Sequence, residues 1–169
     1  ERIVEKFEFI HISTGDLLRK EIAEGTQLGL KAKSLIDQGI LVPDNVVIGM
    51  IENQLRMNES SKGFIFDGFP RTVKQAEALD ELLQNQESKV SAMISLEVPR
   101  EELIERLKLR AKSSGRTDDA DPAIIENRIE EYNKKTKPVA DFYHAQGKLI
   151  KIGEVDDIFE RISSSIEKL

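Results

Sequence analysis

Cysteine is absent from the 169 residues. That excludes disulfides, thiol nucleophiles and cysteine-ligated zinc, and it is compatible with a reducing cytoplasm. Tryptophan is absent too and aromatics make up 5% of the chain, so any core must be built mainly from aliphatic side chains. No apolar run is long enough to cross a bilayer, and no signal peptide stands at the start. The only histidines, His11 and His144, are too few and too far apart to suggest a histidine metal site. Positive charge is in deficit: 25 basic against 31 acidic residues leave a net charge of −6. A broad basic surface for nucleic acid is therefore not expected. A few converging arginines can still hold a small anion.

What remains, 39% apolar and 33% charged residues, fits one compact domain with at most small inserted lobes. No repeat, low-complexity tract or dividing linker is visible. Short strand-like runs at 7–12, 63–67, 90–96 and 149–152 alternate with helical patterns near 16–24, 30–38, 44–57, 72–84, 99–112, 122–136, 138–146 and 156–168. Alternation of this kind predicts βαβ units and a parallel sheet covered by helices on both faces. Phe64-Ile65-Phe66 reads as a strand buried on both faces. Pro43-Asp44 and Asp121-Pro122 read as helix starts with a capping carboxylate. Gly39 and Gly147 read as helix stops.

Four places could carry chemistry. Asp67-Gly68-Phe69-Pro70-Arg71 follows a strand, where ligands of open α/β sheets sit, and pairs an acid suited to magnesium with an arginine suited to phosphate. Its plainer reading is a polar turn. Ser13-Thr14-Gly15-Asp16 leads from a strand into a helix whose free N–H groups favour phosphate, with Arg19 one turn further. A well-capped helix with a surface arginine is the plainer alternative. Arg106, Arg110, Arg116 and Arg128 surround a polar stretch at 113–121. They could aim at a transferring phosphoryl group, or form a solvated face paired with Glu102, Glu105, Glu126 and Glu131, which would contribute only about 0–1 kcal/mol per pair. The backbone of Ile40-Leu41-Val42 could lie against a flat base, and Gln75, four residues beyond Arg71, could match an adenine edge; core packing and a surface amide are the alternatives.

In this order, His11–Arg19, Gly39–Asp44, Phe66–Thr72, Arg106–Arg110, Gly115–Asp119 and Asn127–Ile129 resemble the nucleoside monophosphate kinases, and the adenylate kinases most closely. The likeness runs from Glu1 to the last helix. It implies an α/β, P-loop-kinase-like domain with an AMP-binding lobe at 13–42 and a short lid at 109–119. It implies that Thr14, Arg19, Ile40, Leu41, Val42, Gly68, Phe69, Pro70, Arg71 and Gln75 bind AMP. Arg110 and Gly153 would hold ATP, with Gly153 touching adenine through its backbone. Arg116 and Arg128 would bridge the two nucleotides, and Asp67 would act on Mg2+ through water. The implied reaction is ATP + AMP = 2 ADP, run by a cytoplasmic monomer that uses Mg2+ and no zinc, with ATP, AMP and ADP as partners and neither nucleic acid nor membrane. Thr14 and Arg71-Thr72…Gln75-Ala76 match the adenylate kinases better than their UMP/CMP relatives. A UMP/CMP or other monophosphate kinase, or a non-catalytic nucleotide-binding module, stand as alternatives.

One expected motif does not occur. The phosphate-cradling G-x-x-x-x-G-K loop of that family matches nowhere, and Glu1–Phe7 resembles the end of the helix that follows it. The sequence is therefore expected to be part of a longer protein. A deliberately truncated chain would be expected to be unstable and inactive, with two unpaired strand edges.

Overall fold

The computed structural model describes residues 1–114, 117–119, 121–153 and 157–169. The elements run α1 (Arg2–Phe7), β1 (Ile10–Ser13), α2 (Thr14–Ala23), α3 (Gln27–Ile36), α4 (Asp44–Met57), β2 (Phe64–Asp67), α5 (Val73–Gln84), β3 (Met93–Leu96), α6 (Arg100–Ser114), α7 (Pro122–Glu131), α8 (Lys137–Ala145), β4 (Leu149–Ile152) and α9 (Ile158–Ile166). A 3-10 turn, Thr117–Asp119, and a π-helical turn, Tyr132–Thr136, stand on either side of α7.

All strand pairing is parallel, as the alternating pattern predicts. Among the described residues it forms two pairs rather than one sheet. β1 lies on β2, with Ser13 opposite Asp67, and β3 lies on β4, with Leu96 opposite Ile152. Each strand therefore has one partner, and Phe64, Ile65 and Phe66 are half-buried rather than enclosed on both faces.

The core divides in the same way. Ile12, Leu18, Ala32, Val42, Val47, Ile51, Leu55, Phe69, Leu79 and Leu83 pack beside the first pair. Ala76, Val139 and Tyr143 pack beside the second with Met93 and Phe142. α5 joins them, with Leu79 and Leu83 in one cluster and Ala76 in the other.

Local chemistry explains most boundaries. Ser13, Thr26, Thr72, Asp121 and Asp157 each cap a helix by accepting a backbone N–H. Gly39 and Gly147 follow helices at φ of 72° and 70°, the stops expected of them. Asp44 does not cap α4; Pro43 holds that position and the Asp44 carboxylate is turned elsewhere. Phe7, expected in a strand, ends α1, because Glu8 takes a left-handed conformation that breaks the run. The helix expected at 122–136 leaves α-geometry at Tyr132, where the Lys137 N–H bonds the Tyr132 carbonyl five residues back. Pro138 lacks an N–H and would crowd the preceding turn of a regular helix, and one widened turn relieves both.

Candidate functional site

The carboxyl ends of β1 and β2 lie side by side, so the turns at Thr14 and Gly68 meet. The Gly68 carbonyl is their junction. It accepts from Thr14 Oγ1 at 2.9 Å and from Arg71 Nε at 2.8 Å. Gly68 has φ of +70°, and a Cβ there would stand 2.8 Å from Arg71 Nη2 and 3.2 Å from Thr14 Oγ1. Only glycine allows the close approach. Phe69 is buried in the core and is joined to Pro70 by a cis peptide bond.

The Arg71 main chain is held as closely as its side chain. Its N–H donates to Gln75 Oε1 at 2.7 Å, and its carbonyl accepts from Thr136 Oγ1 at 2.9 Å. Gln75 is buried, and its Nε2 donates to Asp44 Oδ1 at 2.8 Å. The same oxygen accepts from Thr72 Oγ1 at 3.0 Å. The amide expected at an adenine edge is thus engaged with the backbone of the arginine and with α4.

Among the described residues, no carboxylate ion-pairs with Arg71. Burial holds its guanidinium below the usual arginine range, the charges of Arg128 and Arg19 add to this, and those of Asp67 and Asp118 oppose it. A desolvated cation beside two others favours an anion. Arg19 lies against Gly15, where a Cβ would sit 3.0 Å from Nη1, and it pairs with Asp16. Asp67 projects into solvent, with His11 Nε2 3.5 Å from its carboxylate.

The second group gathers on Asp119, which is fully buried. Arg110 donates to it through Nε at 2.6 Å and Nη2 at 3.0 Å, a bidentate fork. Arg128 Nη1 contacts Asp119 as well and reaches Asp118 Oδ2 at 2.6 Å. The hydrogen bond to Asp119 raises the Arg110 pKa above the usual range. Arg106 pairs with Glu102 on the helix surface, as the solvated-face reading has it. Arg110 and Arg128 instead converge. Arg116 lies outside the described residues.

The 13–42 segment approaches α7 directly. A Cβ on Gly39 would lie 2.9 Å from both Arg128 Cγ and the Ile124 carbonyl, so glycine lets the chain touch α7 there. Asn127 Nδ2 donates to the Gln38 carbonyl at 3.3 Å. Val42 is buried in the core, Leu41 is half-buried and Ile40 is exposed. Gly153 directly follows β4 and is exposed.

Sequence reasoning missed Asp44, Thr72 and Thr136 as site residues. Their common signal is a polar side chain bonded across 28 to 65 residues, which no local pattern carries.

An arginine and an exposed aspartate at the carboxyl end of a parallel strand, with two further arginines converging from neighbouring helices, are the arrangement expected of a phosphotransferase of the P-loop-kinase class. The adenylate kinase family model matches residues 1–148. An adenylate kinase of Phocaeicola vulgatus is 49% identical over 100% of the chain and 90% of its own length. One of Stenotrophomonas maltophilia is 46% identical over 98% of the chain and 90% of its own length. One of Bacteroides fragilis is 46% identical over 100% of the chain and 90% of its own length. The chain belongs to the adenylate kinase family.

Proposed function

We propose that the chain acts as an adenylate kinase whose AMP phosphate is held by Arg71, with Arg19 and Arg128 beside it. The observation that carries this is the Arg71 guanidinium itself: desolvated, fixed to the Gly68 carbonyl, subject to the charges of Arg128 and Arg19 as well as of Asp67 and Asp118, and without an ion-paired carboxylate among the described residues. A dianionic phosphate supplies the charge such a site favours.

In the reaction, an AMP phosphate oxygen attacks the γ-phosphorus of ATP as the bond to the bridging β,γ-oxygen breaks, and two ADP result. Such transfer needs little covalent help from the protein. It depends on positioning and on charge directed at the equatorial oxygens. Arg110 and Arg128 serve that end, already aligned by Asp118 and Asp119. Arg116 completes the arginine set in this reading. Thr14, Gly68, Phe69 and Pro70 form the phosphate end of the AMP site, Ile40–Val42 its base end, and Gln75 acts through the Arg71 backbone as well as near the base. Gly153 lies at the adenine of ATP. The 13–42 lobe and the 109–119 lid close over the nucleotides and exclude water.

Magnesium bound to ATP would offset the phosphate charge, held by phosphate oxygens and water. Among the described residues no group of three or more His, Asp or Glu could cage a metal. A single exposed carboxylate, Asp67, fits an ion that keeps its waters and phosphate oxygens. The partners are free nucleotides, met by a cytoplasmic monomer; no described helix is long and apolar enough to cross a membrane.

A coupled assay with ATP and each nucleoside monophosphate tests the reading. Clear preference for AMP is expected. Preference for UMP or CMP would assign the site to a different member of the class.

A further inference from the structure

We propose that Thr136, on the π-helical turn between α7 and α8, is a positioning residue for Arg71 and thereby for the AMP phosphate. The inference rests on reading Arg71 as the phosphate ligand. Two facts separate Thr136 from an ordinary helix threonine. It occupies the start of α8, yet its side chain caps nothing there. Its hydroxyl instead donates to the Arg71 carbonyl at 2.9 Å, across 65 residues of sequence. The turn that carries it is widened by one residue, and such insertions re-aim side chains and recur at functional sites.

The peptide units on both sides of the Arg71 Cα are thus fixed from different elements. Gln75, on α5, takes the N–H; Thr136 supplies a donor to the carbonyl. Gln75 is itself held by Asp44 on α4. The side chain adds one bond, to the Gly68 carbonyl. Three elements outside the phosphate turn therefore set where the Arg71 Cα–Cβ vector points. An arginine free to swing would lose part of its binding energy to ordering, and small displacements at such groups are costly. Thr136 also ties the α7–α8 segment, which bears Arg128, to the Arg71 turn. Its hydroxyl is therefore suited to keep the two guanidiniums in a constant relation.

The test is AMP and ATP binding by calorimetry to Thr136→Val, Thr136→Ser, Arg71→Ala and the double variant Arg71→Ala/Thr136→Val, with thermal melts of each. Thr136→Val keeps the branched shape and deletes the hydroxyl. It is expected to weaken AMP about 10-fold, the scale of one lost hydrogen bond, while ATP affinity stays within about twofold. Thr136→Ser should restore AMP affinity. On the Arg71→Ala background, Thr136→Val should add no further loss, because the group it positions is gone. Unchanged AMP affinity in Thr136→Val overturns the inference. So does equal weakening of AMP and ATP, or an additive loss in the double variant, since both signify a general structural role. If Thr136→Val does not fold, Thr136→Ala carries the same comparison; failure of both to fold also overturns it. If Arg71→Ala itself binds AMP normally, the phosphate reading fails and this inference falls with it. If Arg71→Ala loses AMP and Thr136→Val does not, only the inference fails.

Discussion

Arg71 and the Arg110–Arg128 pair are held in opposite ways. Arg71 is fixed by neutral groups, the Gly68 carbonyl on its side chain and Gln75 and Thr136 on its backbone, and it forms no ion pair with a described carboxylate. Arg110 and Arg128 are fixed by charge, through a buried Asp119 and through Asp118. Burial lowers the pKa of the first; a carboxylate raises that of Arg110. The contrast suggests a division of labour. An arginine meant to capture a phosphate in the resting protein gains from having no internal competitor. Arginines meant to meet charge that develops during transfer gain from being pre-aligned, with the carboxylates limiting their pull on the ground state.

The largest effect should come from the arginine that forms no such ion pair. Arg71→Ala is expected to raise the KM for AMP about 10²- to 10³-fold, the loss typical of one partner of a desolvated charged hydrogen-bonded pair. Its melting temperature should stay within a few degrees of wild type, because no ion pair is broken. Normal turnover, or unfolding, would erase the distinction between the two sites.

Asp119→Asn should do the reverse. It leaves two guanidiniums facing a neutral amide, and removing one partner of a buried pair costs about 3–5 kcal/mol. Both arginines remain partly exposed, so about 2 kcal/mol is the expected loss, read as a lower denaturant midpoint at constant slope. AMP affinity should change far less than in Arg71→Ala. A stable Asp119→Asn with poor AMP binding would mean that the two groups act as one.

The smallest effect lies in the second core cluster. Burial, with the Asp80 charge and a 3.4 Å hydrogen bond to it, pushes the Tyr143 phenol above its ordinary value of 10.0. The folded state thus keeps its proton where the unfolded state releases it. The stability this contributes is whole below about pH 10 and is lost as pH rises further. Tyr143→Phe should cost no more than about 1 kcal/mol at pH 7. It should fall off less steeply than wild type in denaturant titrations taken above pH 10. Parallel curves would show that the phenol is not the titrating group.

Much of this was legible in the residue order. α4 and β4 stand where periodicity and turn residues put them, and Arg19, Arg110 and Arg128 lie on the helices expected. Three things were not. The division of the strands into two pairs depends on which edges meet, and no strand's own residues encode that. The convergence of Arg110 and Arg128 on Asp119 depends on the fold of the 110–128 segment; the same sequence allowed pairing with Glu102 or Glu131, which in fact hold Arg106 and Lys135. Gln75 matched an adenine edge by chemistry alone; its bond to the Arg71 N–H is local, but its bond to Asp44 comes from α4, 31 residues away. Motifs on strand ends could be read locally; the supports that orient them could not.

In this reading Arg71 makes a standing phosphate site. Calorimetric titration of AMP and of adenosine into the wild-type chain and into Arg71→Ala tests it most directly. Wild type is expected to bind AMP at least about 10²-fold more tightly than adenosine, and Arg71→Ala to bind the two almost equally. Equal affinity for AMP and adenosine in the wild type, or an undiminished preference for AMP in the variant, would contradict it.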